Sequence, residues 1–204
     1  MATQSDKKPT VFIVDDDPAI RFAMQALMDS VNLNHEIFES GDEFLDKISE
    51  QRPGCLVLDI RMPGLGGLEL QEELIKRGNT LPIIFITGHG DVPMAVEAMQ
   101  KGAVDFIQKP FRDQELLDRI REALATDEER REEQQQHAEV NQRLDRLTNR
   151  EREVFDLVVT GKPNKVIAYE LGVSQRTVEI HRARVMEKMQ ARSLADLVKM
   201  HMTA

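Results

Sequence analysis

Four places in the first 110 residues put a reactive side chain directly after a short apolar run. Asp15, Asp16 and Asp17 follow Val11–Val14, Asp59 follows Cys55–Leu58, Thr87 follows Pro82–Ile86 and Lys109 follows Asp105–Gln108. If those runs are strands of one parallel sheet, their carboxyl ends share an edge, and that edge is where such sheets collect their chemistry. Asp15, Asp16 and Asp59 would bring carboxylates there, Thr87 a hydroxyl and Lys109 an ammonium. Crowded carboxylates repel one another and suit a hard divalent cation, Mg2+ above all. Lys109 adds a compact positive charge able to hold a phosphoryl oxygen. Taken singly, each residue has a plainer role. Asp17 before Pro18 is an N-cap pattern, Asp59 could be a strand-end turn residue, and Thr87 could satisfy its own backbone. Their coincidence at one edge favours a site.

The elements that must position these groups are legible in the spacing. Apolar runs at Val11–Val14, Glu36–Phe38, Cys55–Leu58, Pro82–Ile86 and Asp105–Gln108 read as five strands. Amphipathic stretches near Ala19–Met28, Asp42–Ile48, Leu68–Lys76, Pro93–Lys101 and Gln114–Leu124 read as helices between and after them. That alternation predicts an α/β domain over residues 1–125, a doubly wound parallel sheet covered on both faces. The unbroken apolar stretches at Leu56–Leu58 and Ile83–Ile86 fit strands buried on both sides.

Residues 126–147 change character. Thr126–His137 is almost wholly Glu, Arg, Gln and Asp without Gly or Pro, a composition that favours helix and cannot build a core. We read a solvated, charged helical linker, with a disordered tether as the alternative. Leu116, Ile120 and Leu124 keep a helical spacing that Asp127 and Arg131 break, which speaks against a sustained coiled coil.

Residues 148–204 read as four helices. Thr148 with Glu151 forms a capping box. Asn164–Leu171, the turn Gly172–Ser174 and Gln175–Met189 follow the helix-turn-helix plan, and Ser193–Met202 makes a final helix. On Gln175–Met189 the residues Val178, Val185 and Met189 stack on one face, with the Arg182 stem beside them, to pack against Phe155, Val158 and Ile167. The opposite face carries Arg176, Glu179, Ile180, Ala183 and Glu187, flanked by Arg184. Ile180 and Ala183 suit thymine methyls, Glu179 a cytosine amino group, and Arg176 and Arg184 guanine or phosphate. Thr177, His181 and Lys188 form a neighbouring stripe suited to phosphates. A protein interface is the alternative for the apolar pair.

Composition bounds the remaining possibilities. The net charge of −9 is uneven: residues 1–124 hold 13 basic against 22 acidic side chains, residues 148–204 hold 10 against 7. An acidic first part and a basic last part place a nucleic-acid-facing module at the carboxyl end. No run approaches the ~18 apolar residues of a membrane span, and Met1–Thr10 lacks the apolar core of a secretory signal. The single cysteine, Cys55, lies in an apolar run and reads as a buried strand residue. A cytoplasmic protein is expected.

The blocks Val11–Asp16 (VFIVDD), Leu56–Gly64 (LVLDIRMPG), Ile84–Pro93 (IFITGHGDVP) and Ala103–Phe111 (AVDFIQKPF) resemble the receiver domains of two-component response regulators, the last two the FixJ group in particular. Residues 147–200 resemble the LuxR-type helix-turn-helix domain. These resemblances imply a flavodoxin-like receiver that accepts a phosphoryl group on Asp59 from a sensor histidine kinase. Mg2+ would be held by Asp16, Asp59 and the Arg61 carbonyl, with Asp15 acting through water. Thr87 and Lys109 would touch the phosphoryl group, and Lys109–Pro110 would be a cis peptide. Phe106 would turn inward as a switch, with plain core as its alternative. Asn164 and Lys165 would lie near DNA phosphates, and the last helix would support a homodimer that forms on phosphorylation. Binding to double-stranded promoter DNA, with RNA polymerase as a further partner, would then activate transcription. Lys162–Pro163 departs from the LuxR-type pattern at the start of the second helix. A phosphatase of the aspartyl-phosphate kind would need a second aspartate where Arg61 stands, so at most slow autophosphatase activity is expected. His89 is a solvated loop residue or an influence on dephosphorylation.

Overall fold

A computed structural model describes residues 8–48, 52–88 and 92–203; His89 lies outside them. The chain divides into two compact units, Met1–Arg130 and Arg131–Ala204.

In the first unit, β1 (Thr10–Val14), β2 (His35–Phe38), β3 (Gly54–Asp59), β4 (Ile83–Thr87) and β5 (Asp105–Gln108) form one sheet in the order β2-β1-β3-β4-β5. Every neighbouring pair is parallel. Parallel neighbours need crossovers, and α1 (Pro18–Ser30), α2 (Gly41–Lys47), α3 (Gly67–Lys76) and α4 (Val92–Gln100) supply them; α5 (Asp113–Leu144) follows β5 and runs on past Arg130. Successive strand residues point to opposite faces, which gives two cores. Phe12, Val14, Leu56, Leu58 and Phe85 pack with Phe44, Leu70, Leu74, Ala95 and Ala98 on one face. Val11, Ile13, Cys55, Val57, Ile84 and Ile86 pack with Met24, Met28, Leu116, Ile120 and Ala123 on the other. The continuous apolar runs are strands buried twice over.

In the second unit, α6 (Asn149–Val159), α7 (Asn164–Leu171), α8 (Gln175–Met189) and α9 (Leu194–Thr203) enclose a core of Val154, Phe155, Val158, Ile167, Val178, Val185, Met189 and Leu197, joined by Val140 and Leu144. The Thr148 hydroxyl accepts the Glu151 N–H at 3.3 Å, while the Glu151 carboxylate accepts the Thr148 N–H at 2.8 Å. Gly172, at φ 66, ends α7 in the left-handed conformation that its missing Cβ permits. Ser174 then caps α8, its hydroxyl accepting the Thr177 N–H at 3.1 Å.

One expectation of the sequence changes. Asp127, read as a solvated break in the apolar stripe of the last receiver helix, is only 2% exposed. Periodicity counts apolar residues and is blind to a carboxylate that buries itself by finding polar partners.

Candidate functional site

The carboxyl ends of β1, β3, β4 and β5 bring Asp15, Asp59, Thr87 and Lys109 together. Asp15, Asp59 and Thr87 are 2%, 7% and 3% exposed, and Lys109 is half-buried. The Lys109 ammonium donates to Asp59 Oδ1 at 2.6 Å and to Asp15 Oδ2 at 3.0 Å, so one cation grips both carboxylates. Backbone amides take the remaining oxygens: Arg61 N–H donates to Asp59 Oδ2 at 2.8 Å and Asp17 N–H to Asp15 Oδ1 at 2.9 Å. Asp17 caps α1 through Ala19 N–H at 2.8 Å, its plainer reading, with Pro18 at the first helical position. The Lys109 N–H donates to the Thr87 carbonyl at 2.7 Å, and the Lys109–Pro110 peptide is cis. An open depression of about 460 Å³, lined by Ile20, Gly88, Lys109, Pro110 and Phe111, gives access beside the ammonium.

Close packing fixes β3, the strand that carries Asp59, from behind. A Cβ on Gly67 would stand 2.4 Å from the Asp59 carbonyl oxygen, so only glycine lets the start of α3 approach β3 this closely. Burial pushes the Asp59 carboxyl above the usual carboxylate range, and the Lys109 hydrogen bond and charge only partly offset it. For Lys109 burial disfavours the charged form, but its bonds to Asp59 and Asp15 prevail and raise its pKa.

Asp16 and Arg61 are exposed, and Asp16 does not join the buried pair. Among the described residues no three His, Cys, Asp or Glu side chains are grouped as a metal cage. Phe106 is 39% exposed, which removes the plain-core alternative. Sequence reasoning missed Arg21, which donates from Nη1 to the Asp15 carbonyl at 2.7 Å and steadies the turn carrying the acidic pair. Its only signal was its place one helical turn after Asp17.

On α8, Arg176, Glu179, Ile180, Ala183 and Arg184 are all exposed, Ile180 at 47%. Thr177 and His181 are half-buried, and His181 Nδ1 has no hydrogen-bond partner among the described residues. Lys165 on α7 is exposed, while the Asn164 amide oxygen accepts from Arg182 Nη1 at 2.9 Å. Lys188 departs from the phosphate stripe: its ammonium donates to Glu151 at 2.6 Å and to the Arg146 carbonyl at 3.0 Å. A buried carboxylate at the start of α6 outcompetes solvent for that charge, and only the folded packing brings the two residues together. Glu151 is held at a pKa of about 2, first by Lys188 and then by the Thr148 N–H.

A β2-β1-β3-β4-β5 sheet with a lysine-clamped aspartate at its carboxyl edge, in one chain with a helix-turn-helix unit, defines a receiver coupled to a DNA reader. The comparisons agree: residues 11–121 match the response regulator receiver domain and residues 145–201 the luxR family of bacterial regulatory proteins. The chain belongs to the two-component response regulators that carry a LuxR-type DNA-binding domain. Over 201 residues it is 49% identical to Nodulation protein W of Bradyrhizobium diazoefficiens, covering 98% of this chain and 88% of that protein. It is 45% identical over 194 residues to the transcriptional regulatory protein FixJ of Azorhizobium caulinodans, covering 95% and 92%. The structure of the response regulator StyR matches with a TM-score of 0.89 at 44% identity, covering 97% of this chain and all of that one. The protein is a transcriptional response regulator; its receiver implies a histidine kinase partner and its LuxR-type domain implies DNA binding. No helix among the described residues is long and apolar enough to cross a membrane.

Proposed function

We propose that Asp59 accepts a phosphoryl group from the phosphohistidine of a sensor kinase, and that this modification promotes dimerisation and promoter binding by the LuxR-type domain. The observation that carries the reading is the 2.6 Å contact between the Lys109 ammonium and a carboxylate of Asp59 that is only 7% exposed. In the transfer, an Asp59 oxygen forms the new O–P bond as the N–P bond of the donor breaks and the imidazole leaves. Lys109, already beside that oxygen, offsets charge on the equatorial phosphoryl oxygens without having to reorganise.

The donor set suits Mg2+. Asp15, Asp16 and Asp59 present hard oxygens bearing more negative charge than Lys109 neutralises, and Asp16 and Arg61 are exposed. Asp16, Asp59 and the Arg61 carbonyl would hold the ion, with Asp15 acting through water. When bound, it would neutralise charge shared between the acceptor and the phosphoryl oxygens. The guanidinium of Arg61 has no acceptor to offer an attacking water, so we expect only slow autophosphatase activity. Once Asp59 carries a dianion, the Thr87 hydroxyl is drawn toward it and the outward Phe106 turns into the space vacated.

We assign residues 1–125 to the receiver, 126–147 to a charged helical linker and 148–204 to the DNA reader, acting in the cytoplasm. There Arg176, Glu179, Ile180, Ala183 and Arg184 would face bases, and Asn164, Lys165, Thr177 and His181 the phosphates. Lys188 drops from this set because its ammonium is committed to Glu151. Contact with RNA polymerase would make the dimer an activator.

The test is incorporation of label from acetyl phosphate with Mg2+, together with binding to a duplex selected from random sequence. Wild type incorporates label and binds more tightly for it, while Asp59→Asn does neither and keeps its fold. Equal binding by labelled wild type and the variant would refute the switch.

A further inference from the structure

The buried side chain of Asp127 belongs to a polar network that receiver chemistry does not use. Its Oδ2 accepts the buried Gly54 N–H at 2.9 Å. Its Oδ1 accepts Arg130 Nη2, and Arg130 Nη1 donates to the Thr80 carbonyl. Gly54 opens β3 and Thr80 precedes β4, so this network sits at the amino-terminal edge of the sheet, opposite the edge that carries Asp59. The strands leave no room for a side chain there: a Cβ on Gly54, at φ +150, would lie 1.9 Å from the Thr10 carbonyl oxygen. Any group that serves the Gly54 N–H must therefore come from outside the sheet, and α5 delivers it. The adjacent Cys55 thiol is pushed up to about 12, by burial first and by the Asp127 charge second.

The neighbours of the network add nothing apolar. The stripe that packs α5 on the sheet ends at Ala123 and Leu124, and Ala125, Thr126, Glu128 and Glu129 are exposed. With the hydrophobic contact finished, Asp127 and Arg130 tie this turn of α5 to the receiver through Gly54 and Thr80. With its carboxylate buried and its guanidinium partly so, the pair loses hydration that offsets much of its yield in stability; what it fixes is orientation.

We infer that the Asp127–Arg130 anchor holds the outgoing turn of α5 on the receiver, and that phosphorylation of Asp59 reaches the DNA-binding domain only while this anchor is made. The inference rests on the phosphorylation switch proposed above.

Two variants test it in the full-length chain. Asp127→Asn keeps an oxygen for the Gly54 N–H but removes the charge that holds Arg130, and Arg130→Met keeps the stem and removes the guanidinium. Three readouts are taken: acetyl phosphate labelling of Asp59, amide hydrogen exchange over residues 125–130, and affinity for the selected duplex with and without acetyl phosphate. Labelling should stay within about twofold of wild type, showing an intact receiver, while exchange in residues 125–130 rises about tenfold or more. The ratio of the two affinities should fall to about one in both variants. Unchanged exchange, or a ratio within about twofold of wild type despite faster exchange, overturns the anchor. A wild-type ratio of one instead sinks the switch itself and the anchor with it, so the two failures are told apart.

Discussion

At the residue scale the pocket is a balance between burial and one ammonium. Asp59 is raised by burial, and Lys109 holds two carboxylates that would otherwise face each other bare. The side chains proposed to face bases show the opposite condition, exposure. Arg184 is exposed on α8 beside Ile180 and Ala183. Arg184→Ala is expected to weaken binding to the selected duplex by about 1–3 kcal/mol and to relax preference at one base pair if the guanidinium reads a base. An equal loss on every duplex would mark it as a phosphate contact instead. Asp15, Asp59, Thr87 and Lys109 could be picked from the sequence because strand ends of a parallel sheet converge by geometry alone. Asp127 and Lys188 could not, because their partners Gly54 and Glu151 lie 73 and 37 residues away and no local pattern announces them.

At the scale of elements, strands and helices followed from simple rules: continuous apolar runs for twice-buried strands, capping residues for helix starts. Thr148, Ser174 and Gly172 mark the bounds of α6, α8 and α7 because each answers a local backbone need. The middle of α5, around Asp127, is less legible, since a charged stretch reads the same whether it is solvated or docked through buried polar bonds. Glu151 joins elements, closing its own capping box at α6 and holding Lys188 of α8. Its folded pKa of about 2 lies below the ordinary 4.5. A depressed carboxyl stabilises the fold above its unfolded pKa, and that contribution disappears as pH falls through the window from 4.5 to about 2. Glu151→Gln keeps the capping geometry but loses the charge, and should cost about 1–2 kcal/mol at neutral pH. Urea unfolding of variant and wild type should converge as pH falls toward 3, within that window. A difference that stays constant with pH would assign the loss to packing.

At the scale of the whole molecule the charge is divided, with 22 acidic against 13 basic side chains in residues 1–124 and 7 against 10 in residues 148–204. An acidic receiver keeps bulk DNA away, so affinity must come from a small basic surface and should be sensitive to ions. Binding to the selected duplex should fall by about 100-fold between about 50 and 200 mM monovalent salt, the slope of about four neutralised phosphates. A flat salt response would place the binding energy in base contacts and shape alone. Finally, the chain's one cysteine, Cys55, is fully buried with its thiol held near 12. Thiolate is the reactive form, so to maleimides or a neighbouring molecule's thiol the folded protein offers no reactive cysteine. A cysteine introduced at an exposed position such as Met202 would be its sole addressable handle, and spin or dye labels could report on the native chain without first removing a residue from its core.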